Sequence, residues 1–82
     1  MPPMRISSVK WGANTLYATR RASIKEIEHV LLTPGAKFRR NLRGRAATHI
    51  ATGRTPAGRM LTVAFVYSPE GRGATPINAW DA

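Results

Sequence analysis

Four residues in one short stretch have side chains suited to work on a phosphodiester: His49, Arg54, Arg59 and Tyr67. All lie between Arg45 and Tyr67, which reads RAATHIATGRTPAGRMLTVAFVY. RNA carries its own nucleophile, the 2′-hydroxyl beside each phosphate. A protein can cleave it without a metal by orienting that group and stabilising the extra charge on the phosphorane. Arg serves the charge, while His and Tyr can move protons. Each residue also has a structural reading. His49 suits a strand, Tyr67 the edge of a core, and the two arginines can solubilise a turn. The catalytic expectation rests on the four together.

What must position them is a β-hairpin. Two alternating runs flank Thr55-Pro56-Ala57-Gly58. Pro at the second turn position presets φ, and Gly at the fourth can take positive φ and start a bulge. Arg54 and Arg59 bracket this turn. Their expected closeness suggests an anion between them. In the second run Leu61, Val63, Phe65 and Tyr67 point one way, and Met60, Thr62, Ala64 and Val66 the other. Both faces are largely apolar, which predicts a central strand covered on each side.

A second feature lies just upstream. Lys37 to Arg45 reads KFRRNLRGR, five cations in nine residues. Lys37, Arg39, Arg40, Arg43 and Arg45 form a candidate phosphate-tracking edge. The plainer reading is a solvated strand and loop. Phe38 is expected in the core. The whole chain carries thirteen Lys and Arg against four Asp and Glu, a net charge of +9. Ten of the thirteen are Arg, which binds phosphate bidentately. A polyanionic partner is expected, whether phosphates such as those of RNA or an acidic protein, with anionic lipid ranked lower.

Other chemistries find little support. The four acids are scattered, so paired-carboxylate hydrolysis is not expected. Two His and no Cys form no readable metal cluster. No Ser-His-acid set can be read. Gly71-Arg72-Gly73 has no following helix, so it is not a dinucleotide fingerprint. No cofactor or metal is implied. No apolar run approaches the ~20 residues of a membrane span, and the first residues show no signal-peptide core. A cysteine-free chain fits a reduced cytoplasmic setting.

The chain of 82 residues is long enough for one domain. Ile6 to Trp11 is expected as a short strand. Asn14 can cap a short helix through Arg20 or Arg21. Ser23-Ile24-Lys25-Glu26 is a capping box, starting a helix to about Leu32. Ile24, Ile27, Val30 and Leu31 should face a sheet. A strand at Ala36 to Arg40 and a turn at Asn41 to Gly44 lead into the hairpin. Ser68 to Thr75 reads as a loop, and Pro76 to Trp80 as a last strand that begins with proline. The predicted class is α+β: β-α-α-β-β-β(-β), with two N-terminal helices packed on a small antiparallel sheet.

These residues resemble a known family. The ordered set is Trp11, Asn14, the capped Ser23-x-x-Glu26 helix with Val30, then Ile50-Ala51-x-Gly53-Arg54-Thr55, Gly58-Arg59, a Val63 to Tyr67 strand, Glu70-Gly71-x, and Ile77-x-Ala79. It resembles the BrnT toxins of type II toxin–antitoxin systems over residues 6 to 82. The Gly-Arg-Thr to Gly-Arg segment is its most specific part. Two departures stand out. Arg20-Arg21 replaces the family's His-Gly, and Trp80-Asp81-Ala82 replaces its Ala-Arg-Lys-Ala. The resemblance implies a RelE-like ribonuclease fold, RNA cleavage that slows translation, and a cytoplasmic antitoxin that binds the toxin in a hetero-oligomer. Arg54 and Arg59 match the family's arginine positions; His49 and Tyr67 come from the residue chemistry alone. Two competing readings are a non-catalytic nucleic-acid- or ribosome-binding module and a subunit that only binds a protein partner.

Overall fold

The computed structural model describes residues 5–12, 18–33, 35–41 and 46–82. It is α+β. The elements are β1 (Ser8–Val9), α1 (Ile24–Leu32), β2 (Lys37–Arg40), β3 (His49–Arg54), β4 (Met60–Ser68) and β5 (Gly73–Asp81). The five strands form one sheet in the order β1-β5-β4-β3-β2. It is mixed rather than antiparallel throughout, because β1 runs parallel to β5. The expected helix from Asn14 falls largely on residues 13–17, outside the described set. Its described end, residues 18–20, is a 3₁₀ turn.

The capping box forms as expected. The Glu26 backbone N–H donates to Ser23 Oγ at 3.1 Å, and the Ser23 N–H donates to Glu26 Oε1 at 3.0 Å. These bonds satisfy donors that the first helical turn leaves open. Ile27, Val30 and Leu31 are then buried against the sheet. Ile24 departs from expectation at 44% exposed, so the packed stripe begins one turn later.

The core lies between α1 and one sheet face. Leu61, Val63 and Phe65 of β4 are fully buried there with Ala51 and Ala79. Gly53 brings the helix close. A Cβ there would sit 3.2 Å from Ala36 Cβ and 3.3 Å from Val30 Cγ1. The 55–58 turn closes the hairpin, with Gly58 N–H donating to the Thr55 carbonyl at 2.9 Å. Gly58 has φ +90°, and Thr55 N–H reaches the Arg59 carbonyl at 2.7 Å.

β4 is central, but α1 covers only its Leu61–Val63–Phe65 side. On the other side Thr62 and Ala64 are 5% and 8% exposed. They are small residues shaded by larger neighbours on β3 and β5. The expected loop from Ser68 to Thr75 is shorter, because β4 runs through Ser68 and β5 begins at Gly73. Gly71 and Arg72 both take positive φ, so the chain reverses within Pro69 to Arg72. Pro76 lies inside β5, not at its start. The ladder shifts there, pairing Phe65 with Pro76 and Ala64 with Asn78. A bulge tolerates a residue that has no N–H to donate.

Candidate functional site

The hairpin separates the four candidate residues into two groups. His49 begins β3 and Arg54 ends it. Five strand steps place them about 17 Å apart. Arg54 and Arg59 lie at the turn end, His49 and Tyr67 at the other.

At the turn end the two arginines have different partners. Arg54 is exposed and donates from Nη1 to the Gly58 carbonyl at 3.0 Å. It lines a cleft of about 220 Å³ with His29, Val30, Thr33 and Gly53. Arg59 turns to the helix side. It pairs with Asp81, lies 3.4 Å from Glu26 Oε2, and donates to the Arg21 carbonyl at 2.6 Å. The Arg59 charge is already matched by two carboxylates, so no bound anion is needed to hold the arginines near the turn. The network also depresses both acids. The Asp81 carboxyl is lowered first by its bond from Arg59. Glu26 is lowered first by the Ser23 N–H and then by the Arg59 charge, against the opposing effect of burial.

The opposite end brings Arg40, His49 and Tyr67 together. Arg40 faces His49 across the β2–β3 ladder. His49 pairs with Phe65, and its ring stacks on Phe65 with centroids 5.9 Å apart. Tyr67 meets the His49 ring edge-on at 5.6 Å. Alternation puts all of these on the α1 side of the sheet. His49 and Tyr67 are half-buried. Burial first, and the Arg40 charge second, hold the His49 proton affinity below the ordinary histidine value. At neutral pH the imidazole is therefore neutral and can accept a proton.

Thr48 fixes that imidazole, and reading the sequence alone missed it. Its hydroxyl lies 2.9 Å from His49 Nδ1, accepts the Tyr67 N–H at 2.8 Å, and lies 3.5 Å from the Phe65 carbonyl. A hydroxyl has one hydrogen to give. When His49 Nδ1–H donates to Thr48, that hydrogen is left for the Phe65 carbonyl and Nε2 is the free base. The adjacent Thr48-His49 pair was the available signal. The Arg40–His49 pairing depended on register across a connecting segment and had no local signal.

Lys37, Arg39 and Arg40 are exposed on edge strand β2, as a phosphate-tracking edge requires. Charges on an edge strand also discourage strand addition. Arg43 and Arg45 lie outside the described residues. Among the described residues, no group of three or more His, Asp and Glu could hold a metal ion. No described helix is long and apolar enough to cross a membrane. No protein-family model, curated protein or solved structure matches the chain.

Proposed function

We propose that this chain is a metal-independent endoribonuclease of the BrnT toxin type, with a RelE-like fold, acting in the cytoplasm and neutralised by a protein antitoxin. The observation that carries the reading is the cluster of Arg40, a neutral His49 and Tyr67 at one end of the hairpin. In this reading His49 Nε2 takes the proton from the 2′-hydroxyl. The oxygen attacks the adjacent phosphorus, and the bond to the 5′-oxygen breaks. Arg40 stabilises the charge that builds on the phosphorane, a contribution of the type typically worth ~10²–10³-fold in rate. In this reading Tyr67 protonates the leaving oxygen. Arg54 serves phosphate binding at the far end, and Arg59 serves the fold.

The net charge of +9 supports both proposed partners, RNA and an acidic surface on the antitoxin. A second reading, a non-catalytic RNA- or ribosome-binding module, is favoured by one observation. Arg59, matched to the family by motif, is occupied by Glu26 and Asp81. Expression of the chain alone in bacteria separates the two. The nuclease reading expects growth arrest and RNA breakdown, both lost in His49→Gln. Arrest with intact RNA supports the binding module, and harmless expression contradicts both.

A further inference from the structure

The sheet face turned away from α1 carries a groove of about 810 Å³. Its lining includes Arg39 on β2, Ile50 on β3, Ala64 on β4, and Ile77, Asn78 and Trp80 on β5. The floor is low because β4 presents Ala64, with Thr62 beside it. Thr62 pairs with Trp80 on one side and with Thr52 on the other. The bulge at Pro76 sets Ile77 and Asn78 in succession along the groove. One wall is thus an indole and an isoleucine. The other is an isoleucine leading to an edge arginine. None of the four acids of the chain lines it.

We propose that this groove binds single-stranded RNA, with one base stacked on the Trp80 indole and the adjoining phosphate held by Arg39; the inference rests on RNA being the substrate. A flat base fits against an aromatic wall above a low floor. Stacking on aromatic side chains beside a cationic track is how single strands are held without sequence readout. Charge selects the occupant, since Arg39 lines the groove at the β2 edge and no carboxylate opposes it. Arg39 and Arg40 are adjacent on the edge strand and alternate across it. A strand crossing that edge passes from the Trp80 groove on one face to the Arg40–His49 cluster on the other. The groove therefore holds nucleotides flanking the scissile phosphate.

Trp80 reports its own occupancy. The chain has one other tryptophan, Trp11, whose indole N–H donates to Glu28 at 3.0 Å. In a Trp11→Phe protein, a short 2′-O-methyl oligouridylate binds but cannot be cleaved. Labelled oligonucleotide anisotropy measures binding, and tryptophan emission reads the groove. The inference expects quenching that saturates with the anisotropy signal. It also expects Trp80→Leu in the wild-type background to weaken binding about five- to hundred-fold, and Arg39→Gln to weaken it further in low salt. Comparing wild type with Trp80→Leu gives the same readout if Trp11→Phe fails to fold. Binding with unquenched Trp80 and full affinity in Trp80→Leu overturns the groove while leaving the RNA reading intact. No binding by anisotropy overturns both. Quenching by an acidic peptide but not by RNA assigns the groove to a protein.

Discussion

Arg40 and His49 stand directly opposite each other in the β2–β3 ladder, on the side of the sheet that carries α1. The pairing puts a permanent charge beside an imidazole already disfavoured as a cation by burial. It gives the proposed site a charge stabiliser and a neutral base one strand spacing apart.

That relationship predicts a titration. Arg40→Gln removes the second cause of the His49 shift, so its pKa should rise toward the ordinary histidine value without reaching it. NMR titration of the His49 ring measures this. The sign for stability follows. His49 binds a proton less readily folded than unfolded, so stability is full above the unfolded pKa, near 6.5. It falls as pH drops below that value and levels off once pH is below the folded pKa. Thermal melts of His49→Gln should lose this slope.

Thr48→Val is the second test. It keeps the shape of the side chain but removes the acceptor of the Tyr67 N–H and the partner of His49 Nδ1. Cleavage should fall about tenfold or more through loss of orientation, and Thr48→Ser should restore most of it. Equal activity in Thr48→Val would show that the hydroxyl does not orient the ring.

The turn end should behave as structure. Arg59→Ala is expected to lower the melting temperature and to leave RNA cleavage by the folded protein near wild type. Ser23→Ala should cost about 1 kcal/mol, a shift of roughly 4–8 °C in a domain of this size. It also removes part of what lowers Glu26. Glu26 contributes stability that is present above the unfolded value of 4.5 and lost as pH falls through its folded pKa. Acid melts of Ser23→Ala should therefore show a weaker loss below that value. A large activity loss in folded Arg59→Ala would return this residue to the chemistry.

RNA affinity should depend steeply on salt. Each phosphate contact contributes a slope of about −0.7 for a single strand. Replacing Lys37, Arg39 and Arg40 together with Gln should flatten the slope by about two. An unchanged slope places the phosphates on another surface.

The elements that announced themselves were those with local chemistry. Ser23 and Glu26 satisfy each other within one turn, so a spacing of three was sufficient. Pro56 and Gly58 carry their backbone preferences with them, so the hairpin and its turn were readable. What escaped depended on distant segments. The parallel pairing of Ser8 with Gly73 joins opposite ends of the chain. The extension of β5 to Gly73 needed the positive φ of Gly71 and of Arg72, which no composition rule supplies for arginine. The site followed the same division. Alternation placed Tyr67 on one face with Leu61, Val63 and Phe65, but setting His49 beside it needed the β3–β4 register. The partners of Arg59 were not readable, because Asp81 and Glu26 lie on separate elements.

The most direct test is the pH dependence of RNA cleavage by the purified chain in a chelator, with the product ends identified. The products should carry a 2′,3′-cyclic phosphate and a 5′-hydroxyl. The rate should rise with pH through a value below that of free histidine and fall about 10²-fold or more in His49→Gln. Cleavage that persists unchanged in folded His49→Gln, or no cleavage by the wild-type chain, would contradict it.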